Sequence, residues 1–117
     1  MIVSRETDTL PLAASLILRL VQDIPVYYSL GNHEYKMLLK PECRESYLNH
    51  ERLLTSAGVC FLHNEQILTE FGNTDFTFHG LELPIEFYHK PNSPALSLTE
   101  MEHMLGIPSD KSFHVLL

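Results

Sequence analysis

The sequence predicts an α/β fold from three observations. Apolar residues recur at helical spacing between Asp8 and Asp23, short β-branched and aromatic runs follow helical stretches, and glycine and proline punctuate each change of period. With 117 residues the chain has room for one hydrophobic core, and it is read as a single domain spanning 1–117.

The first helix is expected over Asp8 to Asp23. Leu12, Leu16 and Leu20 repeat at one helical spacing and Ala13 and Ile17 at another, Pro11 suits the first turn, and Thr9 or Asp8 suits the cap. Asp23-Ile24-Pro25 ends it, and Val26–Leu30 reads as a short buried strand that stops at Gly31.

Lys40-Pro41-Glu42 is expected to open the second helix, with Tyr47, Leu48, Leu53, Leu54 and Ala57 inward and Gly58 as its stop. Val59–Leu62 and Gln66–Phe71 flank a turn at His63-Asn64-Glu65, and Gly72-Asn73-Thr74-Asp75 is a turn before Phe76–Leu83. These three runs predict an antiparallel meander at a sheet edge. A proline-punctuated loop over Pro84–Pro94 leads to Ser97-Leu98-Thr99-Glu100, a capping box opening a short helix that Gly106 and Pro108 close. Leu96–Leu105 reads as a core stripe of that helix, and Ser112–Leu117 as a buried strand.

Composition narrows the function. The chain is 44% hydrophobic and 20% charged, as a folded soluble protein is, with a formal net charge of -7. Its eight Lys and Arg form no block able to track a phosphate backbone, so no nucleic-acid partner is expected. The run Leu10–Val21 is interrupted by Ser15 and Arg19 and is too short for a membrane span, which needs about 20 apolar residues. Cys43 and Cys60 have neither disulfide-framework nor metal spacing, and a reducing, cytoplasmic setting is expected.

The residues able to carry chemistry are concentrated in "PVYYSLGNHEY", residues 25–35. In an open α/β sheet functional groups gather beyond the carboxyl ends of strands, and Gly31-Asn32-His33-Glu34 lies at such an end. Glycine permits a tight turn near a ligand, the Asn32 amide oxygen is a hard neutral donor for a divalent metal, and His33 can give a proton to a leaving oxygen. Standing alone, Gly-Asn after a strand is also an ordinary turn.

The order of segments resembles the calcineurin-like metallophosphoesterase superfamily. A helix, a "PVY" strand and "GNHEY" match its third motif; "AGVCFLHNEQ" and "FTFHGLE" resemble the strands that follow; and "SFHVLL" is similar to the strand delivering a later metal-binding histidine. "IVSR" at 2–5 resembles the tail of the second motif. The resemblance implies a two-sheet sandwich with flanking helices, of which this chain is a central piece truncated at both ends. It also implies phosphoester hydrolysis by a water activated between two divalent ions of the Mn, Fe or Zn type.

On that resemblance Asn32 is a metal ligand and His33 is the catalytic residue, acting as general acid or as a donor stabilising the transition state. Glu34 holds the loop or makes a helix-start contact. The family's Asp-x-His, Gly-Asp and Gly-His-x-His are missing here, so the chain by itself is expected to bind the ions weakly or not at all and to be inactive. The expected substrate is a phosphomonoester, phosphodiester or lipid-linked pyrophosphate, and open sheet edges are expected to favour self-association. The rival reading is a non-catalytic α/β binding or interaction module in which Gly-Asn-His-Glu is a structural turn. His50, His63, His79, His89, His103 and His114 show no local ligand spacing and read as surface or packing residues. Tyr35 reads either as a substrate contact or as packing under the loop.

Overall fold

A computed structural model describes residues 9–88 and 91–117. The "IVSR" segment, Asp8 and His89 lie outside them. Among the described residues the chain is α/β, with four helices and two small open sheets, and it divides into two compact units that meet in sequence at Phe61 and Leu62.

In the first unit, α1 (Leu10–Leu20) starts with proline in its first turn, where a missing N–H costs nothing. Thr9 makes no side-chain cap hydrogen bond. Leu10, Ala13, Ala14 and Ile17 are buried, the i, i+3, i+4, i+7 set of one helix face. The competing stripe Leu12, Leu16, Leu20 faces outward, with Leu12 75% exposed. β1 is only Tyr27–Tyr28, and it pairs in parallel with β2 (Cys60–Phe61) through Tyr27↔Cys60 and Tyr28↔Phe61.

Between these strands lie two helices where the sequence predicts one. α2 (Asn32–Leu39) begins inside the Gly-Asn-His-Glu motif, and α3 (Pro41–Ser56) follows after Lys40 alone. Lys40 is extended (φ -93°, ψ 115°) because the ring of Pro41 disfavours helical backbone in the residue before it. α3 buries Tyr47 and Leu54 as expected and also His50, leaves Leu48 partly buried, and turns Leu53 outward, with Ala57 at its end also exposed, where both were expected inward.

Two apolar clusters close this unit. One joins Leu10, Ala13, Leu30, Met37 and Tyr47; the other joins Ala14, Ile17, Tyr28, Leu54 and Val59. Phe61 packs against both and places its ring centroid 4.8 Å from that of Tyr28. The strand that leads to the motif is thereby clamped from both sides.

The second unit is a three-stranded sheet in the order β3-β4-β5, from β3 (Gln66–Phe71), β4 (Thr74–His79) and β5 (Phe113–Leu116). β3 and β4 form the expected hairpin, but its loop is the two residues Gly72-Asn73, since Phe71 already pairs with Thr74. Gly72 has φ 64°, the left-handed backbone that favours glycine at the first position of such a loop. The expected three-run meander does not form: the run at 59–62 supplies β2, which pairs with β1 in the other sheet.

β5 lies parallel to β4, and a parallel neighbour requires a crossover. That crossover carries a 3-10 turn at Ile85–Tyr88 and α4 (Leu98–Leu105). The capping box forms as expected: the Glu100 amide donates to Ser97 Oγ at 3.2 Å, and the Ser97 amide donates to Glu100 Oε2 at 2.8 Å. The Ser97 hydroxyl, which also donates to Glu100 Oε2 at 2.6 Å, and after it the Ser97 amide hold the Glu100 carboxyl below its ordinary pKa. No residue of α4 is buried, however, and β5 is mostly exposed, with Phe113 at 66%. Both segments were expected inside a core. Phe71, Phe76, Phe78 and Phe113 share a face of this sheet in stacked and edge-to-face contacts.

Among the described residues, no helix is long and apolar enough to cross a membrane.

Candidate functional site

The site is built at the carboxyl end of β1. Leu30 is buried in the core, Gly31 is the cap residue of α2, and Asn32, His33 and Glu34 form the first helical turn. The strand's end and the helix's start are therefore fixed by packing on either side of the motif, through Leu30 behind it and Met37 ahead of it.

Gly31 is not needed for unusual backbone. Its φ of -83° and ψ of 178° are open to any residue. The space is what excludes a side chain: a Cβ on Gly31 would lie 2.9 Å from Glu34 Oε2. Glu34 folds back over the start of its own helix, 5% exposed, and accepts a hydrogen bond from the Tyr28 hydroxyl at 3.3 Å. This carboxylate in the first turn also suits the positive end of the helix dipole. Burial, and after it the Glu34 charge and hydrogen bond, push the Tyr28 phenol well above its ordinary pKa.

His50 from α3 completes the buried polar group. It is 6% exposed, its Nε2 has no hydrogen-bond partner among the described residues, and its ring lies 6.0 Å from that of Tyr47. Burial lowers its pKa, with the charges of Glu34 and Glu51 pulling the other way. Glu34 thus takes the structural place, between strand β1 and the turn, that its helix-start position allows.

The two residues expected to do chemistry behave differently. Asn32 and His33 are half-buried, and Asn32 Oδ1 and His33 Nδ1 are both buried without a hydrogen-bond partner among the described residues. Ser29 Oγ, three residues before Asn32, is in the same condition. Leaving such atoms unsatisfied costs about 1–3 kcal/mol each. A structural turn would spend them on its own backbone, as Asn turns usually do. Unspent polar atoms at a strand's carboxyl end are free to meet a ligand, the Asn32 oxygen as an acceptor or metal donor and the Ser29 hydroxyl and His33 ring nitrogen as either donor or acceptor.

The donor set around Asn32 is small. Among the described residues no group of three or more His, Cys, Asp or Glu could hold a metal ion. Asn32 Oδ1 fits as one oxygen ligand of a hard or borderline divalent ion, and further ligands would have to complete the four to six that such ions take.

Two further histidines are brought together in the second unit. His79 and His114, 35 residues apart in sequence, place Nε2 and Nδ1 2.8 Å from each other. His63 Nδ1 lies 2.7 Å from Glu82 Oε1. Neither contact has a local spacing that a reading along the chain could detect. Tyr28 and His50 were missed for the same reason, although the alternation that buries Tyr28 and Leu30 was the signal available for Tyr28.

Comparison of the chain with protein-family models, with curated proteins and with solved structures finds no match.

Proposed function

We propose that this chain carries part of a metal-dependent phosphoesterase site of the calcineurin-like type, whose intact domain is a two-sheet sandwich with flanking helices. The supporting observation is the pair of buried, unpartnered atoms Asn32 Oδ1 and His33 Nδ1 on the first turn of a helix that leaves a parallel strand.

In this reading Asn32 Oδ1 is a metal ligand. Two divalent ions, when bound, supply Lewis acidity at the phosphoryl group and an activated water. His33 is kept off the metal and serves the substrate: protonated, its imidazole donates to the leaving oxygen or to a phosphoryl oxygen as charge develops there. Glu34, pinned by Tyr28, holds the turn so that its two neighbours keep their direction. The substrate class is a small phosphoester, and an acidic chain of net charge -7 is poorly suited to nucleic acid.

Manganese binding to the isotopically labelled chain tests the assignment. Millimolar Mn²⁺ should broaden the amide signals of residues 29–34 before all others, and Asn32→Ala should remove that selectivity. Uniform broadening, or broadening centred elsewhere, refutes Asn32 as a ligand and favours the reading of Gly-Asn-His-Glu as a structural turn. With one such ligand, the chain alone should not turn over an aryl phosphate in Mn²⁺.

A further inference from the structure

The second unit sets one tripeptide pattern beside another. Thr77-Phe78-His79 lies in β4, and Ser112-Phe113-His114 leads into β5. Side chains alternate along a strand, so each pattern sends its hydroxyl and its imidazole to one face of the sheet and its phenylalanine to the other. Thr77 pairs with His114 in the parallel register, which offsets the two patterns and lets their polar groups interlock.

These side chains form one hydrogen-bonded line. Thr77 Oγ1 lies 2.8 Å from Ser112 Oγ, Ser112 Oγ lies 3.2 Å from His114 Nε2, and His114 Nδ1 lies 2.8 Å from His79 Nε2. The inner end sets which way the protons run. His79 is 5% exposed, and burial, and next the His114 ring, lower its pKa, so that it is neutral at pH 7. The Leu105 backbone at the end of α4 acts the other way and favours the charged ring, as a carbonyl oxygen does, without reaching hydrogen-bonding geometry. It therefore favours a hydrogen on His79 Nδ1. His79 Nε2 is then a lone pair that accepts from His114 Nδ1–H, which leaves His114 Nε2 as an acceptor. That acceptor faces the Ser112 hydroxyl. With the Thr77 hydroxyl donating to Ser112 Oγ, the Ser112 hydrogen is left for His114. The Ser109 amide also donates to His114 Nε2 at 3.2 Å, and the Ser109 carbonyl oxygen, 3.0 Å away, is placed to accept from this nitrogen once it is protonated.

His79 is too buried to meet a substrate, but Ser112 and His114 line an open cleft of about 520 Å³. Leu68 and Ile107 give it exposed apolar walls, Lys111 gives it a cation, and Asp75 opposes an anionic ligand. We propose that Ser112 is a nucleophile activated by His114, with His79 as the positioning residue behind it, and that this cleft hydrolyses small neutral carboxylic esters with apolar acyl groups. Ser112 Oγ bonds to the ester carbonyl carbon as its proton passes to His114 Nε2; the carbon–oxygen bond to the alcohol then breaks, and that proton leaves with the alcohol. Water repeats the exchange on the acyl-serine, releasing the carboxylic acid and restoring the hydroxyl. Lys111 is the donor within the cleft for the carbonyl oxygen as it becomes negative. One flexible donor stabilises that charge less than fixed amides do, so phenyl esters, whose leaving group departs readily, are the substrates expected to react.

Two measurements on the full chain in EDTA test this: hydrolysis of phenyl butyrate, and labelling by diisopropyl fluorophosphate located by peptide mass spectrometry. EDTA removes divalent ions, so neither readout depends on Asn32. The expected result is a label on Ser112, with fluoride displaced, and hydrolysis that falls about 100-fold in Ser112→Ala and in His114→Ala. His79→Leu should lower kcat with little change in KM, and His79→Gln, whose amide oxygen can accept from His114 Nδ1–H, should restore most of the loss. Equal loss in both His79 variants would refute the relay. Absence of label from Ser112 in the unsubstituted chain, or hydrolysis unchanged in Ser112→Ala, overturns the proposal even if the histidine variants fail to fold.

Discussion

Replacing Gly31 by alanine isolates the contact that shapes the motif. The backbone at Gly31 is extended, so alanine brings no conformational strain; by limiting the unfolded chain it would by itself stabilise by about 0.4–1 kcal/mol. The added Cβ would sit 2.9 Å from Glu34 Oε2 and 3.8 Å from the carboxyl carbon. A carboxylate in solvent would swing aside, but this one is 5% exposed and held by Tyr28. Displacing it forfeits a hydrogen bond to a charged group, about 1.5–3 kcal/mol. The net expectation is a destabilisation of about 1–2 kcal/mol, from the difference of these terms. In a Glu34→Ala background the obstruction is gone, and Gly31→Ala should become neutral or stabilising. Urea denaturation of the four proteins, with unchanged m-values, reads the coupling, expected at about 1.5–3 kcal/mol. Additivity within about 0.5 kcal/mol would refute the reasoning, because it would mean that Glu34 does not occupy the space behind Gly31.

Acid should weaken the fold through its buried histidines. His50 and His79 both have pKa values lowered from 6.5, so the unfolded chain takes up their protons first; their stability contribution is complete above pH 6.5 and is lost as pH falls through the folded values. A urea midpoint that does not fall between pH 7 and pH 5 would contradict this. Gly80→Ala should destabilise severely, by about 3 kcal/mol or more, since its Cβ would overlap the Leu62 backbone carbonyl rather than a movable side chain; a near-native melting temperature would show that the two backbones are not in contact. Ser97→Ala removes the capping box and should cost α4 about 1 kcal/mol. Hydrogen exchange should show that loss in the α4 amides alone, because the helix buries no side chain, and an equal fall in global stability would refute its loose attachment.

Where local chemistry decides the outcome, the chain was legible. Proline in the first turn of α1, the Ser97–Glu100 box, the Gly72-Asn73 loop and the strand that leads into Gly31 are each set by residues within four positions of one another. Asn32 and His33 were singled out as following a glycine that ends a strand, and their roles as ligand and catalytic residue rest on the resemblance. α2 was not legible, because glycine and asparagine signal a turn and the helical run after them is only eight residues long.

Elsewhere two local answers were equally good, and packing chose between them. α1 offers one apolar stripe through Leu12, Leu16 and Leu20 and another through Ala13 and Ile17; the strands bury the second, whose small residues allow close approach. The run at 59–62 has the composition of a strand in any sheet, and only the return of the chain through α2 and α3 sets it beside β1 instead of β3. The amino-acid sequence by itself determined most of the elements, α2 apart, and put Asn32 and His33 at the end of the first strand, because caps, turns and periodicity act over a few residues. Only the tertiary structure decided that Glu34 lies buried against Tyr28, that His79 meets His114, and that Asn32 and His33 keep unspent polar atoms, because hydrogen-bond partners are allotted by contacts between segments distant in sequence.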